Sequence, residues 1–199
     1  MKNNDYYNYE KSINDLTTVL SIGYFFKYSF KVIQKRIIES KYFSHINNEF
    51  SYISTADLVA NIYFDAEISD EILNITYPEF EWIAMFYLHL ISSTNLNFET
   101  IFIYAPITKA VEMFKIYHEL DLNQALIWFN EEREKASIIK IRMQDLKLSS
   151  KDVGEFSGLS SYMILSLKNR QRDTAKLNIE CGLKLANCLN INIRTLLNN

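Results

Sequence analysis

Four glycines and two prolines in 199 residues leave this chain few places to turn sharply. A protein of many β-strands needs turn residues roughly every 8–12 positions, and this sequence does not supply them. Long helices joined by short polar loops meet the constraint. The apolar share of 48% and charged share of 23% suit a folded chain with a substantial core and a wetted surface. The expected fold class is all-α.

Apolar spacing and cap residues divide the first two-thirds. Residues 1–12 read as a loose tail rich in Asn and Tyr. Asp15 is placed to cap a helix running to about Ser40, with Leu16, Val19, Leu20, Ile33 and Ile37 on its inner face. Asn47-Asn48 marks a loop. Ser54 with Asp57 forms a capping-box pattern opening a helix to about Phe64. Ser69-Asp70 opens a brief helix. Pro78 suits the first turn of the next helix, which runs to about Ser92 and has little polar face, so it is expected to be buried on most sides. Asn97 or Asn95 caps Phe98 to Tyr104, and Pro106 starts a helix to about Glu119. Asp121 with Gln124 opens another from about Leu122, which can continue through Glu131–Lys135 into Ile141.

The composition then shifts. Residues 136–199 carry ten basic and five acidic residues, net +5; residues 1–135 carry eleven and nineteen, net −8. The boundary is set at 135/136, dividing an acidic, aromatic-rich helical domain for partner binding or dimerisation from a small basic domain suited to a polyanion. The basic domain divides into five helical pieces, at about 137–146, 150–156, 161–168, 175–189 and 192–198. Val153, Phe156, Leu159, Ile164 and Leu167 are spaced to share a core closed by Leu183, Leu185, Ala186, Leu189, Ile193, Leu196 and Leu197. Gly158 stands where one helix must stop, Ser160 where the next needs an N-cap, and Gly154 where a small residue lets that next helix cross closely.

The residues Leu148-Ser149, Val153-Gly154, Gly158-Leu159-Ser160, Ile164, Leu167, Asn169, Leu185-Ala186, Leu189, Ile193 and Leu196-Leu197 occur in the order of a phage-repressor helix-turn-helix. Over the last third, from Ile138 to Leu197, the chain resembles that family, the XRE or Cro/C1 type. The resemblance implies a five-helix repressor-like domain with Ser161 to Lys168 as recognition helix. It implies DNA contacts from Ser150, Lys151, Ser160, Ser161, Tyr162, Met163, Leu165, Ser166, Asn169, Arg170 and Arg172, with Lys176 adding phosphate attraction. Lys168 stands where the family commonly has Glu. The reading face lacks Arg, Gln and Asn, so single hydrogen bonds from Ser and Tyr and apolar contact with the thymine methyl are what it offers. The same Tyr162, Met163 and Leu165 would equally serve a protein-interaction adaptor that kept the fold.

Enzyme chemistry is not indicated. His45, His89 and His118 are scattered, and no HExxH, nucleophile elbow or phosphate loop occurs. His89 lies in an apolar helix and reads as a satisfied core histidine. Cys181 and Cys188, seven apart on one helix face, suit small buried residues and neither a disulfide nor a metal site. No cofactor or metal is expected. No signal peptide or membrane span is visible, which places the chain in the cytoplasm.

The aromatic load of the acidic domain, including Trp82, Phe86, Tyr87, Phe98, Phe102, Tyr104, Phe114, Tyr117, Trp128 and Phe129, fits either a core or a protein interface. The stretches Glu81–Tyr87, Glu99–Pro106 and Tyr117–Leu126 are similar to small uncharacterised bacterial proteins associated with toxin–antitoxin-like gene pairs. That resemblance implies an antitoxin that covers its cognate toxin with the acidic domain and represses its own operon with the basic one. Double-stranded DNA, a toxin protein and a second copy of the chain are therefore the expected partners. A ligand-sensing regulator remains the other reading of the aromatic domain.

Overall fold

The computed structural model describes residues 3–40, 42, 54–63 and 75–197, with side chains from residue 9 onward. It is all-α, with no strand among the described residues. The expected loop at Asn47-Asn48, the helix at Ser69-Asp70 and His45 lie outside them. The chain divides into two compact units, Met1–Leu126 and Ile127–Asn199.

The first unit contains α1 (Asn3–Phe25), α2 (Phe30–Glu39), α3 (Thr55–Tyr63), α4 (Tyr77–Thr94), α5 (Phe98–Tyr104) and α6 (Ile107–Tyr117). α4 is its axis, packed by α1, α5 and α6. Thr76 and Glu79 form a capping box at its start, Pro78 sits in the first turn, and Asn95 closes it in the left-handed conformation. Trp82, Ile83, Phe86, Tyr87, Leu88 and Leu90 are buried on nearly every side. Trp82 stacks on Phe86, and Tyr87 meets Phe102 edge-on at 4.9 Å. The buried Tyr87 hydroxyl donates to the Ala105 carbonyl at 3.0 Å, which satisfies both groups. Of the ten aromatics named in the sequence, Trp82, Phe86, Tyr87, Phe98, Phe102 and Tyr104 are buried in this unit and Phe114 and Tyr117 half-buried, whereas the buried Phe129 and half-buried Trp128 belong to the second unit.

Three expectations near the N-terminus are overturned. The first helix begins at Asn3, inside the supposed tail, and it does not continue to Ser40. Lys27 adopts a left-handed φ of 60°, Tyr28 N–H donates back to the Gly23 carbonyl, and Ser29 caps a separate α2. Asp15 is no cap. It lies in mid-helix with 1% exposure, and its carboxylate accepts from Lys11 Nζ (2.7 Å), Tyr42 Oη (2.5 Å) and Thr55 Oγ1 (2.6 Å). The polar side chain that suggested a helix start is instead the hub tying α1 to Tyr42 and the start of α3. The Ser54–Asp57 pair does cap α3, and Asn97 caps α5 by accepting from Thr100 N–H. His118 closes α6, its Nδ1 2.8 Å from the Phe114 carbonyl. The buried Nε2 of the half-buried His89 has no hydrogen-bond partner among the described residues, so this histidine is not a satisfied one. No helix among the described residues is long and apolar enough to cross a membrane.

α7 (Leu122–Lys135) contains the boundary between the units, which falls nine residues before the expected 135/136. At its start Asp121 Oδ1 accepts from Asn123 N–H rather than from Gln124. It stops at Lys135 because Ser137 turns the chain and caps a new helix by accepting from Lys140 N–H. The second unit continues with α8 (Ile138–Asp145), α9 (Ser150–Ser157), α10 (Ser161–Lys168), a 3-10 turn (Thr174–Lys176), α11 (Ile179–Cys188) and α12 (Ile193–Leu197). The fourth expected piece is thus a turn followed by a helix, because Asn178 caps α11. Ile138, Ile139, Met143, Val153, Ile164, Leu167, Leu185, Leu189 and Leu196 form the core. Phe156 (70% exposed), Leu183 (45%) and Leu197 (37%) are not in it: Val153 with Ser157 and Leu185 with Ala186 take the inward positions on α9 and α11, and Leu196 does so on α12.

Removing the hub should be costly, because three donors lose a buried charged acceptor. Asp15→Ala is expected to lower unfolding free energy by about 3 kcal/mol in urea denaturation.

Candidate nucleic-acid interface

The α9–turn–α10 geometry follows from two glycines and two caps. Gly158 ends α9 at φ 73°, the left-handed conformation that costs glycine least. Ser160 then starts α10, its Oγ accepting from Met163 N–H at 3.1 Å. Gly154 sets how closely the two helices approach. A Cβ there would stand 2.7 Å from the Leu159 carbonyl oxygen and 3.4 Å from Ser161 N. Both neighbours are backbone atoms of the turn and of α10, so neither yields without moving the helix. Ser157 Oγ donates to the Val153 carbonyl and accepts from Leu159 N–H, keeping the turn satisfied inside.

The helix starts in this unit are electrically unlike. At α9, Ser149 Oγ accepts from Asp152 N–H and the Asp152 carboxylate accepts from Ser149 N–H at 2.8 Å. These bonds hold the Asp152 carboxyl below its ordinary range. A carboxylate therefore already occupies the α9 N-terminus, which makes Ser150 and the neighbouring Lys151 a poor pair for a second anion. Lys151 is exposed, with Glu155 at 3.9 Å. At α10 the first turn holds no acid, and Ser160, Ser161 and Tyr162 are exposed. Its free N–H groups and positive dipole end are open to an anion.

Along α10 the expected contact residues separate. Ser161, Tyr162 (70% exposed) and Leu165 (45%) form the outward face, and Asn169 ends the helix in solvent. Met163 is half-buried, with its sulfur accepting from Arg172 Nη1 at 3.3 Å, so that guanidinium lies over the side of the helix. Two residues are corrected. Ser166 is 2% exposed and faces the core beside Leu167, out of reach of any groove. Arg170 is exposed but held in place: its Nη2 donates to the carbonyls of Arg133 (2.5 Å) and Ala136 (3.0 Å) at the end of α7. Ser137 Oγ adds a bond to the Lys168 carbonyl at 2.7 Å. Arg170 is also left-handed, with φ 56°, a conformation that disfavours a branched Cβ-bearing residue. Beside this clasp an open groove is lined by Arg133, Arg170, Arg172 and Lys176 together with Glu134 and Asp173, so its bases outnumber its acids.

Among the described residues Lys140, Lys147, Lys168, Arg172, Lys176 and Arg194 have no ion-pair partner. Lys147, left-handed in the turn before α9, was not singled out from sequence, although a basic residue ahead of a capping box is a readable signal. Cys181 and Cys188 are half-buried free thiols, and burial pushes the Cys188 thiol up. No group of three or more His, Cys, Asp or Glu among the described residues is placed to hold a metal ion. Compared with known proteins, the chain matches no family model, no curated protein and no solved structure.

Gly154→Ala, which favours a free helix by about 1 kcal/mol, should here lower stability by about 1–3 kcal/mol, read from thermal or urea unfolding. Asp152 provides a pH test. Its carboxyl titrates lower in the folded state, so its stabilisation is complete above the ordinary carboxylate range and is lost as pH falls through the folded value. Melting curves from about pH 6 to pH 3 should therefore fall less steeply for Asp152→Asn than for the parent chain.

Proposed function

We propose that the chain is a sequence-specific DNA-binding transcriptional repressor of the helix-turn-helix type, acting as a dimer in the cytoplasm. The observation that carries the reading is α10 itself. It is an eight-residue helix with an exposed outward face and no acid in its first turn. Lys168 in its last turn and Arg172 over its flank have no carboxylate partner among the described residues. A duplex phosphate suits the α10 N-terminus and these cations, while Ser161 and Tyr162 reach toward base edges and Leu165 toward a thymine methyl. Lys176 and Lys147 add positive charge on the same small unit.

The antitoxin role is part of this proposal. Its supports are the net −8 of residues 1–135 and the resemblance, read from sequence, of the stretches Glu81–Tyr87, Glu99–Pro106 and Tyr117–Leu126 to antitoxin-like proteins. The acidic unit would cover a toxin, and the basic unit would repress the operon encoding both. A toxin encoded alongside should co-purify with the chain and arrest growth when expressed without it.

The adaptor reading has one observation in its favour: Tyr162 and Leu165, the most exposed large side chains of α10, are apolar enough to seat a protein. Duplex titrations separate the two. Fluorescence anisotropy with duplex DNA between about 50 and 200 mM salt should give an affinity that falls steeply with salt. Arg172→Ala and Lys176→Ala should each weaken binding and reduce the salt slope by about 1. Arg170→Ala should lower thermal stability and change that slope less than either of the other two, since its guanidinium is held on the Arg133 and Ala136 carbonyls. Absence of binding at low salt would leave the adaptor.

A further inference from the structure

α11 carries an apolar stripe that its own unit leaves uncovered. Ile179 is 79% exposed and Leu183, one turn on, is 45% exposed, while Gly182, Leu185 and Ala186 face the core. Leu197 of the adjoining α12 is 37% exposed. Beside the stripe, on its solvent flank, Glu180 and Lys184 pair along the helix at 2.6 Å, with side chains 76% and 51% exposed.

The order of those charges selects the occupant. The acid comes first along the helix and the base one turn later. A helix laid antiparallel across a two-fold axis presents the same flank in reverse order. Glu180 of one copy then faces Lys184 of the other, and the converse pair forms by symmetry. In that register Leu183 lies beside its own counterpart next to the axis, and Ile179 covers the apolar edge beyond it. Such a patch is self-complementary, as a closed two-fold interface requires. A polyanion meets Glu180 and bare apolar carbon there.

We propose that the outward face of α11 is the seam of a homodimer, formed by antiparallel packing of α11 against α11 of a second copy. The seam rests on the repressor reading and deepens it, because a two-fold operator needs two recognition helices held together. α10 keeps its outward face for the duplex.

The test uses the full chain in sedimentation velocity from about 1 to 100 μM, a range that resolves dissociation constants in the micromolar region. The parent chain should reach twice the monomer mass, and Leu183→Glu should remain monomeric. E180K and K184E, at exposed sites and checked for parent-like circular dichroism, should each weaken dimerisation by about tenfold or more, equivalent to about 1.4 kcal/mol. An equimolar mixture of those two variants should restore the dimer, because two bases of one then face two acids of the other. The intrachain pair alone gives no such rescue. A parent chain that stays monomeric, a dimer indifferent to Leu183→Glu, or a mixture that fails to recover overturns the seam. Anisotropy with a mixed-sequence duplex is read separately. Dimers without DNA affinity would sink the repressor reading and leave the seam, and monomers with DNA affinity would do the reverse.

Discussion

The backbone approach at Gly154 governs the second unit. With the Leu159 carbonyl within 2.7 Å of where a Cβ would be, α9 and α10 meet main chain to main chain. That proximity fixes the angle between them more firmly than interdigitated side chains would, because no rotamer change relieves a backbone clash. Gly158, Ser160 and the buried Ser157 follow from it: the chain must reverse within three residues and still satisfy every buried polar group. The exposed face of α10 is the result.

Electrostatics then distinguishes two helix starts that look alike in sequence. Both α9 and α10 open on serine caps. One start holds an internal carboxylate and the other does not, so the positive end of only one dipole is left for an external anion. The unpaired cations are spread along the basic unit from Lys140 to Arg194, in a unit of opposite sign to the acidic one.

How much was legible depends on the range of the interaction concerned. Caps and stops act over three or four residues, and Ser54, Pro78, Asn97, Gly158 and Ser160 were read correctly for that reason. Gly154 was legible because its pattern repeats a known packing need. Asp15 was misread because its partners Tyr42 and Thr55 are 27 and 40 residues away. Ser166 and Arg170 were placed at the interface by the resemblance, which carries over positions along the motif but not what each side chain meets in this chain. A small serine sinks into the core where a long side chain would stay out, and an arginine turns to carbonyls of a helix 34 residues earlier. Phe156 and Leu183 were assigned to the core from their spacing, yet Val153 and Ser157 on α9 and Leu185 and Ala186 on α11 hold the inward angles.

The Arg170 clasp has a further consequence. Its acceptors are two carbonyls at the end of α7, a helix whose first turns belong to the other unit. Carbonyl direction on a helix advances by about 100° per residue. The exit of α10 is thereby keyed to the rotational phase of the last turn of α7, so a residue added or deleted there carries the acceptors around the helix and the lock must be re-cut.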